Sequence, residues 1–232
     1  MKISKFIALS AIFVAAFSFV SCSSDDDDDD NNNDVVADNH EYVDLGLPSG
    51  TLWATCNVGA SKPEDFGDYF AWGEIEPKAS YKSSNYKWGS SKLTKYCASS
   101  EFGDVDNNLE LLPEDDAATA KWGSNWCTPS FDQIYELIRP ENTTFEWTTQ
   151  NGVNGLKVTS KKNGNTLFFP AAGERFDDML KDAGEYGYYM SRTFNELTSP
   201  SMYMLYIDSS GGTYGGTSRI NGLTVRPVRV KK

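Results

Sequence analysis

Along most of the chain, apolar residues recur with a period of two. In Leu52–Val58, Ala54, Cys56 and Val58 share one face, as in a strand buried on one side. Tyr69–Trp72 reads as a short aromatic strand. Leu156–Ser160 and Thr166–Phe169 flank Lys161-Lys162-Asn163-Gly164, a hairpin pattern in which Asn-Gly supplies the positive φ of a tight turn. Met202–Asp208, the turn Ser209–Gly212, and Leu223–Val230 continue the series. The period changes to that of a helix in two places. Phe131, Ile134, Tyr135 and Ile138 follow Thr128-Pro129, an N-cap and first-turn pair, and Pro140 stops the run. Pro113–Ala118 opens a shorter helix with acidic residues in its first turn, where the helix dipole favours them. Two short helices among many short, mostly antiparallel strands predict an α+β fold. No linker or charge block divides residues 41–232, so they are read as one domain.

The N-terminal pattern is different. Lys2 and Lys5 precede an apolar run from Phe6 to Val20, 15 residues long. That is shorter than the about 20 residues a membrane-spanning helix needs. A charged start, a short apolar core and small residues at its end describe a signal peptide over 1–21. Phe19-Val20-Ser21-Cys22 resembles a bacterial lipobox, with Phe19 where leucine is usual. Lipidation of Cys22 is therefore expected, and several acyl chains on one cysteine anchor a protein stably. Residues 22–40 form an acidic leash. Its six consecutive aspartates repel one another and bury nothing, so disorder is expected there. Ser-Asp-Asp-Asp after the cysteine resembles the export signal of Bacteroidetes surface lipoproteins. That resemblance implies an outer-membrane, cell-surface location with the lipid anchor as the only membrane contact.

Charge narrows the partners. The chain carries 33 acidic and 21 basic residues, a net of -12. Eight of those acids lie in 22–40 and two of the bases in 1–21, which leaves 25 acidic and 19 basic residues in 41–232, a net of -6. A basic stripe for phosphate is missing, so no nucleic acid partner is expected. The single histidine, His40, falls in the polar tail, which disfavours histidine-dependent nucleophiles and most zinc sites.

Seven strings then stand out in order: Glu41–Ala60, Asp65–Glu74, Val105–Ala118, Trp126–Leu137, Thr149–Gly164, Pro170–Arg175 and Ile220–Arg229. As a set they resemble the Fibrobacter succinogenes major paralogous domain family, abundant in surface lipoproteins of gut Bacteroidetes. The resemblance covers nearly all of 41–229 and implies a C-type-lectin-like fold. It also implies that Trp126–Ser130 opens a helix and that Val225-Arg226 lies in the closing strand. Cys127 stands where that superfold usually has arginine, and Met190 where the family often has tryptophan.

Candidate chemistry is sparse. Asp104, Asp106 and Asn108 share alternate spacing, as calcium ligands would, but glycine is missing from position six of an EF-hand pattern and turn formation explains the same residues. No metal and no cofactor are expected. Three cysteines remain after Cys22. With Cys56 on an apolar strand face, Cys97–Cys127 is the pairing expected if one bridge forms. The 25 carboxylates could include a glycosidase pair, but no spacing singles one out. Tyr81, Tyr86 and Trp88 lie in a polar serine-, asparagine- and lysine-rich stretch, the composition of an adaptable recognition surface. Together with Arg175, Arg192 and Tyr214 they are the expected ligand-binding residues. The expectation is a non-catalytic module that binds a glycan or a surface protein. The alternatives are an accessory or tip component of a surface assembly, and a carboxylate-dependent carbohydrate-active enzyme.

Overall fold

The computed structural model describes residues 40–89, 91–195 and 201–230, all within one compact unit over Val36–Lys232. The expected signal peptide, Cys22 and residues 23–39 of the acidic stretch lie outside the described residues. His40 does not belong to a solvated leash. Its ring stacks on Trp122, with centroids 3.6 Å apart, and meets Trp126 edge-on.

Strands β1 (Tyr42–Asp44), β2 (Thr51–Ala54) and β13 (Val228–Val230) form a small sheet that ties the two ends of the unit together; Val228 pairs with Trp53. A second sheet has the order β11-β10-β9-β12-β3. Its members are β3 (Tyr69–Phe70), β9 (Gly187–Asn195), β10 (Ser201–Asp208), β11 (Gly211–Ser218) and β12 (Leu223–Thr224). All its pairings are antiparallel except β12 with β9. The third sheet is the meander β4 (Thr143–Gln150), β5 (Val153–Ser160) and β6 (Thr166–Pro170). Asn151 and Gly152 make its first turn with φ of 48° and 87°, and Gly164, at 76°, closes the second. A separate hairpin joins β7 (Glu174–Phe176) to β8 (Met179–Lys181). Among the described residues the helices are α1 (Ala117–Trp122) and α2 (Phe131–Ile138). The α+β reading stands.

Side chains alternate across the five-stranded sheet, so neighbours in sequence enter different cores. Tyr189, Leu205 and Ile207 join Trp53, Ile134, Leu137, Leu156 and Phe169 on the side of the meander and α2. Met190 and Met204 join Phe70, Trp72, Tyr96 and Phe194 on the other side. Two arginines are enclosed with them. Arg226 donates through Nε to Asn57 Oδ1 at 2.7 Å and through Nη1 to the Thr55 carbonyl at 2.9 Å. Arg219 donates through Nη1 to the Tyr96 carbonyl at 2.8 Å, with its guanidinium 5.1 Å from the ring centres of Trp72 and Phe194. Neither forms an ion pair with an acid of the described residues, so aromatic faces and carbonyl dipoles stand in for a counter-charge.

Several local expectations shift. Ser130, not Thr128, caps α2: its hydroxyl accepts from the Gln133 N–H, and the Gln133 side chain reaches back to Ser130. Pro113–Asp115 form a single 3-10 turn, and Asp116 caps α1 by accepting from Ala118 N and Thr119 N. The expected strand 223–230 is interrupted over 225–227, where Pro227 has no N–H to donate, so Val225-Arg226 lie in neither strand and the two halves serve different sheets.

Candidate functional site

The β7–β8 hairpin is bridged through Arg175 to Gly222, just before β12, and leaves Phe176, Met179 and Leu180 exposed. Its tip is held by the segment the sequence singled out. Tyr81 N donates to the Asp177 carbonyl at 2.8 Å, and Lys82 Nζ pairs with Asp177 Oδ1 at 2.9 Å and Asp178 Oδ2 at 3.0 Å. Between this segment, the hairpin and residues 217–221 lies an open groove of about 540 Å³. Phe176 is its exposed aromatic ring, whereas Tyr81, 3% exposed, is buried in its floor and not the exposed ligand-binding ring expected; Lys82, Asp177, Thr217 and Asn221 supply donors and acceptors. A smaller pocket of about 70 Å³ adjoins it across Ile220, bordered by Tyr86, Leu93, Phe102 and Arg219.

The groove floor is fixed by close packing. The Tyr81 hydroxyl donates to the Tyr69 carbonyl, and the Tyr69 hydroxyl donates to the Ala172 carbonyl at 2.6 Å. The Arg175 guanidinium lies over the Tyr69 ring at 5.4 Å. Burial pushes the Tyr69 phenol up to about 12, against the nearby Arg175 charge, and raises Tyr81 as well. Both phenols are therefore neutral donors at physiological pH. Asn221 Nδ2 donates to Glu174 Oε2 at 2.9 Å; burial still leaves that carboxyl above its usual range. Lys82 at the rim is engaged by Asp177 and Asp178, so its charge is compensated there.

The six expected ligand-binding residues do not form one site. Tyr81 lines the groove and Arg175 braces it. Tyr86 is buried, not exposed: its hydroxyl donates to the Trp72 carbonyl at 2.9 Å and its ring closes the core beside the smaller pocket. Trp88 is half-buried; its Nε1 donates to the Gly73 carbonyl at 3.0 Å and Lys87 and Lys95 lie over its ring. A polar composition hid a lid over two core clusters. Arg192 is elsewhere, donating to Glu110 Oε2 at 2.9 Å and to the Cys127 sulfur at 3.1 Å. Tyr214 is on β11, against Phe131 of α2. Sequence reasoning missed Phe176, Asp177, Thr217 and Asn221, which lie far from residue 81 in the chain; the exposed apolar triplet in Phe176–Leu180 was the available signal.

The expected cysteine bridge is overturned. Cys56, Cys97 and Cys127 are free thiols. Cys97 is buried and its sulfur donates to the Ser99 carbonyl, whereas Cys127 pairs in backbone with Val228 and faces Arg192. Burial pushes the Cys127 thiol up to about 11, so it is protonated and unreactive as a nucleophile at neutral pH. The weak calcium candidates are committed to the chain itself. Asp106 accepts from Tyr96 N at 2.7 Å, Cys97 N at 2.9 Å and Asn108 N at 3.1 Å, and Asp104 pairs with Lys92. Among the described residues no group of three or more His, Cys, Asp or Glu side chains could hold a metal ion.

Compared with protein-family models, curated proteins and solved structures, the chain matches none.

Proposed function

We propose that the chain is a cell-surface lipoprotein whose C-type-lectin-like domain, related to the Fibrobacter succinogenes major paralogous family, is a non-catalytic binding module. The groove between Tyr81, Phe176 and Asn221 is its contact surface, and its ligand is a glycan or a protein. The observation that carries this is the composition of that groove: the exposed Phe176 ring above a floor braced by Tyr81, with amide, hydroxyl, ammonium and carboxylate groups placed around it. The exposed Phe176, Met179 and Leu180 beside it favour a protein, since such patches mark association surfaces.

The test is capture of surface proteins and of arrayed glycans by the purified protein, repeated with Phe176→Ala and Asn221→Ala. Capture lost in both variants, with melting unchanged, supports the groove. Capture that survives both moves the site elsewhere, and polysaccharide turnover would replace binding by catalysis. The anchor is tested separately: Cys22→Ala should leave the membrane fraction, and alanine in place of Asp25–Asp30 should hide the protein from external protease on intact cells.

A further inference from the structure

The outer edge of the five-stranded sheet is β11, Gly-Gly-Thr-Tyr-Gly-Gly-Thr-Ser, which pairs without a break with β10 from Gly211↔Asp208 to Ser218↔Ser201. No strand of the described residues pairs with its other side. Open edges are normally blunted by a short strand, a charge, a proline or a bulge. This one is eight residues long and regular, and carries no charge and no proline. Half of it is glycine, which weakens a strand and so needs a reason. For Gly211 and Gly212 the reason is internal, because a methyl group there would meet Phe145 and Leu156 of the meander. For Gly215 it is not. Its backbone is ordinary strand, and an added methyl would meet only the terminal carbon of Met204, at 3.2 Å. Beside it, Tyr214 is exposed.

We propose that β11 is a self-association edge: two copies of this chain pair antiparallel through it, joining their five-stranded sheets into one. The occupant follows from the strand itself. The free backbone donors and acceptors of an edge are complementary to another extended backbone. A two-fold axis perpendicular to the sheet at Gly215 places Tyr214 opposite the partner's Gly216 and Thr213 opposite the partner's Thr217. Each exposed ring then lies over the space a glycine leaves, and threonine faces threonine, both favourable cross-strand arrangements. Two acidic chains repel, but the paired segment is uncharged, so repulsion is weakest where the backbones meet. The edge meets the groove at Thr217, which lines both, but the pairing does not depend on the groove's reading.

Sedimentation of the purified protein, with a register-specific cross-link, tests the proposal. The expected result is a monomer–dimer equilibrium on the order of 10 µM or tighter. Thr213→Lys with Thr217→Lys should weaken it at least about tenfold without lowering the melting temperature, by setting lysines opposite one another. Under a mild oxidant Gly215→Cys should give a covalent dimer above the unmodified protein's background, and Thr213→Cys should not. A protein that stays monomeric well above that concentration overturns the proposal. So does a dimer that survives the two lysines, or equal cross-linking by both cysteine variants. Should the lysine variant not fold, the cysteine pair still decides.

Discussion

Gly222 and Tyr81 are in direct contact across 141 residues of chain: a methyl group at Gly222 would stand 2.5 Å from the Tyr81 ring. The Gly222 backbone is at the same time bonded both ways to Arg175, at 2.8 and 2.9 Å. Hairpin, groove floor and the residue-81 segment therefore meet at one position that has room for hydrogen only.

Gly222→Ala should accordingly displace the Tyr81 ring and its hydrogen bond to Tyr69. Overpacking of this kind costs about 1–3 kcal/mol. Equilibrium denaturation should show that loss, and groove-dependent capture should fall with it. A variant of unchanged stability would mean that the ring moves aside freely and that the floor is not rigid.

Asp115 should dominate the acid limb of stability. Its buried carboxylate accepts from Lys95 Nζ at 2.6 Å, Lys87 Nζ at 3.1 Å and the Tyr96 hydroxyl at 2.7 Å. Burial pushes this carboxyl up, but the bonds from Lys95, Tyr96 and Lys87 together outweigh burial and hold it below the usual carboxylate range. A folded pKa below the unfolded one contributes stability that is complete above the unfolded value, about 3.9, and is lost as pH falls through the folded value. Asp115→Asn should cost about 2–4 kcal/mol at pH 7, because two ammonium groups lose their partner. Urea titrations at pH 7 and pH 3 should show the gap between the two proteins narrowing in acid; a gap independent of pH would contradict the assignment.

The two tryptophans of contrasting environment should separate in melting. Trp126 is 1% exposed, and truncating such a ring typically costs about 3–5 kcal/mol. Trp88→Ala should cost less, about 1–3 kcal/mol, because the ring is half-buried but loses both its bond to Gly73 and its contacts with two core clusters. Trp88→Phe should recover most of that loss. A Trp88→Ala protein that melts like the parent would return this ring to the solvent-exposed surface.

What could be read from the sequence alone is what depends on near neighbours. The α2 pattern at 131, 134, 135 and 138 needs only helical spacing, and the hairpin around Asn163-Gly164 needs only one residue that tolerates positive φ. Both are present as expected, while the N-cap was displaced from Thr128 to Ser130 because Thr128 is drawn instead to Asp116, whose carboxylate accepts from its N–H and hydroxyl. Large rings are favourable to bury in almost any fold, so Trp53, Trp72, Trp122 and Trp126 are all expected in the core from sequence; three of them are buried there, while Trp122 is only half-buried. Which polar-flanked aromatic ends inside was decided only in three dimensions. Tyr81, Tyr86 and Trp88 share one stretch of serines and lysines, yet Tyr81 and Tyr86 bond to carbonyls of the residue 69–72 strand region and Trp88 to that of Gly73. The parallel pairing of β12 with β9, the enclosure of Arg219 and Arg226, and the groove itself are of the same kind. Exposure is a property of what packs against a residue, and here the packing comes from distant segments, as when the Arg226 guanidinium donates to the Thr55 carbonyl, 171 residues away; local spacing carries no record of that.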